Sequence, residues 1–351
     1  MNGNILLSIC IPTYNRPKEF SRMLDGLLRD WMSLDQSYRE RVEILVRDDS
    51  DSLETQNIFN EKVANINLNH QYFKGEKIGV DAASIFTIEK SKGQFIWWCS
   101  DDDEIQNNAL SNILKILESD PEINYVWLNF DFQTKGRTAV RRQDGLFADN
   151  NEILTTLGTN IGLITTHVFR RSLALESLPL ARKHIVGFSF ACLVPIFYTI
   201  SRPGKYYFAA GPYLLCHPTT REEVVQITTK TGVIKNEAFN VYGVDFYNIV
   251  HEFDPYFSKQ AIRRLLSTNF ASLWRGMVVG WIGGWDTPNG KLGRMFKLYW
   301  SYPEFWLAFS IFILPLSFNK KLYGAYKLFF HERKFLGFSQ IVKKCSWSNN
   351  E

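Results

Sequence analysis

Apolar residues come in short bursts over the first part of the chain, and the bursts alternate between two periods. Residues 6–11 (LLSICI) are apolar almost without a break and stop at Pro12 and Thr13; such a run predicts a buried strand. Phe20, Met23, Leu24, Leu27, Leu28 and Trp31 then recur at three- and four-residue steps. That spacing predicts a helix with Pro17 in its first turn, where a missing N–H costs little. Residues 42–46 predict a second strand that ends on Arg47, Asp48 and Asp49, and a weaker third strand is expected near 66–70. A helix is expected over 82–90, closed by Gly93, then a strand over 95–100, a helix over 109–117 and a strand over 125–130. Strands alternating with helices predict an α/β fold built on a doubly wound, mostly parallel sheet.

The pattern loosens after residue 131. Residues 134–151 are polar and read as a loop, 161–169 and 185–200 are apolar again, and 206–216 reads as a strand interrupted at Gly211 and Pro212. From about residue 235 aromatic, helix-like segments dominate, which places a boundary near 225 between a domain over 1–225 and a helical region over 226–351.

Composition changes this picture in one respect. Hydrophobic residues at 45% and charged residues at 22% describe an ordinary globular chain, and a net charge of +4 is too mild to indicate nucleic-acid binding. The charge is uneven, however. Residues 291–351 hold 10 Lys/Arg against 3 Asp/Glu, whereas 1–290 hold 30 against 33. A basic, aromatic tail behind a slightly acidic body predicts an anionic surface as partner. Within that tail, residues 305–318 (FWLAFSIFILPLSF) carry no charge, but they fall short of the ~20 residues that span a bilayer and contain Pro315. A segment lying in the membrane interface is expected, with a buried helix as the plain alternative. Five dispersed cysteines without a CxxC pair predict reduced core thiols, and no secretory leader is expected at the start.

The chemistry concentrates at predicted strand ends. Asp101, Asp102 and Asp103 close the run 95–100, where crowded carboxylates require a divalent cation or basic side chains. Asp48 and Asp49 close the second strand, and an acid there suits a ribose or base. The loop 12–16 (PTYNR) could present backbone N–H groups and the Tyr14 ring to a nucleoside. Each has a plain alternative: a solvated acidic turn, a capping aspartate, or a turn in which Thr13 or Asn15 caps a helix. His167, in an apolar segment, reads first as a core histidine. No HExxH, GxSxG or P-loop pattern occurs.

Residues 8–17 (SICIPTYNRP), 43–50 (EILVRDDS) and 93–103 (GQFIWWCSDDD) resemble the family 2 glycosyltransferases of the GT-A fold in motif, order and spacing. More loosely, 161–171 (IGLITTHVFRR), 186–190 (VGFSF) and 204–213 (GKYYFAAGPY) resemble the bacterial O-antigen branch that includes abequosyltransferase. By that resemblance Pro12, Thr13, Tyr14, Arg16 and Asp48 or Asp49 would hold the nucleoside, and Gly79 and Asp81 would lie near the ribose and diphosphate. The acidic triplet would correspond to the DxD motif, with Asp101 and Asp103 at its spacing. Asp103 is expected to ligate Mg²⁺ or Mn²⁺ directly, with Asp101 and Asp102 acting through water or on the sugar.

One departure matters. Inverting members usually place a carboxylate downstream as base, but residues 153–221 contain only Glu176, and Ser189 stands near the expected position. The base would then be His184, His167 or Asp131, or the enzyme would use none. The expected protein is a cytoplasmic transferase, peripheral on the inner face of the bacterial inner membrane, moving a sugar from a nucleotide-sugar donor to a lipid-linked oligosaccharide acceptor. A non-catalytic GT-A-like assembly protein and a sugar-phosphate nucleotidyltransferase are the alternatives; the latter usually carries a glycine-rich loop, which 12–16 lacks.

Overall fold

The computed structural model describes residues 5–132, 137–185, 190–217, 240–282, 291–313 and 321. Its centre is a mixed sheet. Strands β1 (Leu7–Thr13), β2 (Val42–Asp48), β3 (Asn69–Lys74) and β4 (Phe95–Trp98) form a parallel half with β1 between β2 and β4. β5 (Glu104–Ile105), β6 (Ile123–Phe132), β7 (Arg137–Thr138), β8 (Gly145–Leu146), β9 (His167–Arg170) and β10 (Lys205–Cys216) extend it, in the order β3-β2-β1-β4-β9-β6-β10-β5. β9 runs antiparallel between β4 and β6, and β10 runs parallel to β6. Every residue of β2 and β4 is buried, Glu43 of β2 included, as expected for strands covered on both faces.

Helices α1 (Pro17–Met32), α2 (Gln36–Arg39), α3 (Glu54–Val63), α4 (Val80–Lys90) and α5 (Ala109–Ser119) connect the first strands. α6 (Asn150–Leu157), α7 (Arg171–Lys183) and α8 (Leu193–Ile200) come next, then α9 (Phe246–His251), α10 (Lys259–Ile282), α11 (Lys291–Tyr299) and α12 (Pro303–Ile313). Pro17 opens α1, as its spacing implied. The third strand lies a few residues later than expected, and the polar stretch after 134 supplies two short strands and the start of α6. Gly211 and Pro212 do not end the strand: β10 continues through them, and its register to β6 shifts between Ala209 and Leu214. A bulge accommodates a residue that cannot donate to the ladder. Gly93 is not the helix stop either; α4 ends at Lys90 with Ser91 as its C-cap, and Gly93 lets the chain pass beside Ser8, whose backbone nitrogen a Cβ there would meet at 2.7 Å. The boundary near 225 lies outside the described residues.

α1 fixes the segment between β4 and α5. Arg22 donates to the Asp102 carbonyl (3.0 Å) and Arg29, one heptad on, to Asn107 (3.1 Å). Gly26 lies between them, and a Cβ there would sit 2.9 Å from the Ile105 carbonyl oxygen. The buried Asp30 carboxylate accepts from the backbone N–H groups of Asn108 (2.6 Å) and Leu110 (2.7 Å), satisfying donors that the start of α5 would otherwise leave unpaired. Asp30→Ala removes both acceptors at once; the expected loss is about 2 kcal/mol of unfolding free energy, checked by urea denaturation.

Candidate active site

Because β1 is flanked by β2 and β4, the tips of all three strands meet at one rim. Thr13 pairs with Asp48 in register, the Thr13 carbonyl accepts from Asp49 N–H (3.0 Å), and the Cys10 carbonyl accepts from Cys99 N–H (2.9 Å). The rim therefore collects the loop 12–16 and both acidic clusters, which brings together Pro12, Thr13, Tyr14, Arg16, Asp48, Asp49, Asp101, Asp102 and Asp103.

Neither Thr13, Asn15 nor the acidic triplet caps a helix by its side chain. Thr13 donates its hydroxyl to Asp101 Oδ2 (2.7 Å) rather than capping α1. Asn15 takes a positive φ of 55° and exchanges hydrogen bonds with Asp51. Asn108, not the triplet, precedes α5. Arg16 bridges the triplet, reaching Asp101 Oδ1 at 3.2 Å and Asp102 Oδ2 at 2.9 Å. Asp102 also accepts from Ser100 Oγ. The acids' repulsion is thus relieved in part by a basic side chain from the first loop.

Asp103 is held differently. Thr165 donates to its Oδ2 (2.5 Å), and Thr165 Oγ1 in turn accepts from Ser100 N–H (2.9 Å), while Trp97 Nε1 donates to the Thr165 carbonyl (2.8 Å). The Cys216 thiol is a second partner of Asp103. Among the described residues no basic side chain pairs with this carboxylate. Burial, with the charge of Asp102 added, pushes its pKa up to about 7. Asp101 rises to about 6, again through burial, with Arg16 opposing and Asp102 adding to the rise.

This pair fits a hard divalent cation in donor chemistry: buried carboxylate oxygens short of positive charge. Among the described residues no group of three or more His, Cys, Asp or Glu is arranged to hold a metal. The protein would supply one or two oxygens through Asp103 and Asp101, and the substrate the rest.

On the β2 side, Asp48 accepts from Tyr72 Oη (2.7 Å) and Ser50 N–H (2.8 Å), with Lys74 Nζ at 3.9 Å. Asp49 accepts from Arg47 Nε (2.7 Å) and Ile78 N–H (2.9 Å). Lys77 lies 4.2 Å from the Tyr14 ring centroid. Gly79 precedes α4 with φ 87°, the conformation that favours glycine. Asp81 is buried and accepts from Cys192 N–H (2.7 Å), so its carboxylate docks the start of α8.

The candidate bases are scattered. His167 is buried: its Nε2 lies 2.9 Å from the Ile161 carbonyl, which only accepts, so Nε2 carries the proton and Nδ1 accepts from Tyr125 Oη (2.7 Å). Burial lowers its pKa to about 3. Both ring nitrogens are used, as the core-histidine reading expected. His184 ends α7 with Nε2 3.3 Å from Glu252 Oε1. Asp131 stands near the end of β6, paired in register with Leu215. Ser189 lies outside the described residues. Thr165, Cys216, Tyr72 and Lys77 carried no signal in the sequence, because each reaches its partner only through strand pairing or a loop crossing.

The sheet and its connecting helices define the fold as that of the GT-A glycosyltransferases. Residues 8–178, which include both acid clusters, match the family model described as Glycosyl transferase family 2. The solved structures are similar at low identity. The crystal structure of S. aureus TarS 1–349 aligns with TM-score 0.57 at 13% identity, covering 92% of each chain. The same protein in complex with UDP-GlcNAc aligns with TM-score 0.56 at 15% identity, over 88% of this chain and 81% of that one. Its complex with UDP gives 0.56 at 15% identity over 92% of each. Comparison with curated protein sequences finds no significant match.

A raised carboxyl pKa fixes a sign. Between the ordinary 3.8 and about 7, native Asp103 keeps a proton that the unfolded chain has released, so without divalent metal its contribution to stability falls as pH rises through that window. Asp103→Asn should raise the metal-free unfolding free energy at neutral pH by on the order of 2 kcal/mol and flatten this pH dependence. Chemical denaturation of both proteins in EDTA across the window checks it.

Proposed function

We propose that the protein transfers a sugar from a nucleoside-diphosphate donor to a hydroxyl of a lipid-linked glycan, in assembly of a bacterial surface polysaccharide of the O-antigen kind. The reaction would take place at the cytoplasmic face of the inner membrane. The buried, incompletely neutralised pair Asp101 and Asp103 at the tip of β4 carries this reading, since it sits beside the first loop and the acids of β2. The UDP-GlcNAc and UDP complexes of TarS support a nucleotide-sugar donor on this fold. Among the described residues no helix is long and apolar enough to cross a membrane, which suits a peripheral attachment.

Pro12, Thr13 and Tyr14 would border the nucleoside together with Asp48 and Asp49. Gly79 and Asp81 begin α4 and would lie beside the ribose and diphosphate. Arg16 keeps Asp101 and Asp102 in place, and Thr165 with Cys216 orients Asp103. Asp103 and Asp101 would hold Mg²⁺ or Mn²⁺. When bound, such an ion supplies charge neutralisation for the departing nucleoside diphosphate. His184, with Glu252 beside it, is our candidate for deprotonating the acceptor hydroxyl, with Ser189 on the segment that comes after it.

Asp103→Ala should bind donor at least ~100-fold more weakly in the presence of Mn²⁺ and lose transfer, while its fold, read by circular dichroism, is kept. Undiminished transfer in EDTA would remove the metal from this reading. His184→Gln should lower kcat by ~100-fold or more and leave donor affinity unchanged; unchanged kcat would dismiss it as base.

A further inference from the structure

The α11–α12 hairpin carries aromatic side chains on both of its faces. Met295, Tyr299, Tyr302 and Phe305 are buried, which accounts for one face: Tyr299 donates to the Gly243 carbonyl (2.8 Å) and packs on Phe270 of α10. The other face should be polar in a surface helix. It instead exposes Phe296 (46%), Trp300 (57%) and Trp306 (47%). The three form one cluster. Phe296 and Trp306 meet at 6.0 Å between ring centroids, and Trp306 Nε1 donates to the Trp300 carbonyl (2.8 Å), closing the hairpin. That bond satisfies the Trp306 indole N–H within the protein, so its exposed ring surface needs no polar partner.

Among the described residues the exposed charges of the hairpin and just beyond it are basic. Arg294, Lys297 and Lys321 are exposed. Glu304, the one carboxylate in residues 291–313, accepts from Ser267 of α10 and is thereby turned toward that helix. The sequence beyond adds Lys320, Lys327, Arg333, Lys334, Lys343 and Lys344 against Glu332 and Glu351. About half of three rings, each able to bury about 150–250 Å², comes to roughly 300 Å². That is a small area for a stable dimer, which covers roughly 800 Å² on each partner. It is the size of a patch that inserts side chains into a headgroup layer, where Trp and Phe supply apolar area and flanking Lys and Arg meet anionic lipid.

We propose that this hairpin is the docking surface for an anionic lipid bilayer, with Phe296, Trp300 and Trp306 entering the interface and Lys297 and Lys321 beside lipid phosphates. The inference deepens the proposed function, on which it rests for its purpose, a lipid-linked acceptor; its observations come from the hairpin alone. The acids of the donor site lie on the sheet rim, so the two are open to separate mutation.

The test is co-sedimentation of the full chain with phosphatidylcholine vesicles, with and without phosphatidylglycerol, omitting donor and acceptor. The wild type should bind the mixed vesicles with a blue shift of tryptophan emission and bind pure phosphatidylcholine at least about tenfold more weakly. Trp300→Ser with Trp306→Ser should reduce binding to the mixed vesicles about tenfold or more. Lys297→Glu with Lys321→Glu should reduce it several-fold, and added salt should mimic that loss. Both variants should keep the wild-type affinity for UDP-sugars or other nucleotide donors that the wild type binds. Unchanged vesicle binding in the tryptophan variant would overturn the proposal. So would a wild-type dimer in analytical ultracentrifugation that the tryptophan substitutions dissociate, since a second copy would then cover the patch. Failure of donor binding in the wild type would instead count against the proposed function and leave the vesicle result standing.

Discussion

Carboxylates gathered at the rim of a buried sheet repel one another, and the arrangement of this domain reflects how that repulsion is met. Asp48, Asp49, Asp101, Asp102 and Asp103 arrive from two strands on either side of β1. Arg47 and Lys74 serve the β2 pair, and Arg16 serves Asp101 and Asp102. Among the described residues Asp103 has the neutral donors Thr165 and Cys216 and no basic one; burial and the charge of Asp102 outweigh those donors, so it stays protonated over a wider pH range than an ordinary carboxyl. Ionising that buried acid without a cationic partner carries a cost in stability.

Rigidity around that acid comes from several directions at once. α1 grips the segment after the triplet through Arg22, Arg29 and Asp30, and the close approach at Gly26 allows the helix to lie directly on β5. β9 enters antiparallel between β4 and β6, and the turn before it delivers Thr165 to Asp103. β10 pairs with β5 through Leu214 and Leu215, which leaves Cys216 beside the same carboxylate. A bulge at Gly211 and Pro212 lets β10 reach that point while still pairing with β6 on both sides of it. Binding and catalytic groups held on strands and helix ends in this way keep their geometry better than groups on free loops.

The C-terminal hairpin obeys another logic. Its buried face packs by ordinary aromatic contacts on α10, whereas its exposed face keeps large rings in water, an expense that a purely structural helix would avoid. Donor site and hairpin therefore divide the work proposed for the protein between a rim that handles charge and a patch that handles an apolar surface.

Much of this was legible from the order of residues. Near-continuous apolar runs gave β1, β2 and β4, because a strand covered on both faces has few polar positions, and the acids at the end of β2 and β4 had to lie at one edge of a parallel sheet. The three- and four-residue steps of Phe20 to Trp31 gave α1. The placement of β3, the passage of β10 through Gly211 and Pro212, and the use of Gly93 for close approach to Ser8 were not legible, since each depends on what a neighbouring strand presents. The same holds for the partners of Asp103, one of them 62 residues away in Thr165 and the other on β10 in Cys216. The sequence by itself determined where the carboxylates sit along their strands, for hydrophobic period and strand ends are local properties. Only the tertiary structure decided which acid receives an arginine and which a threonine and a thiol, because charge compensation and burial depend on segments that meet after the chain has folded.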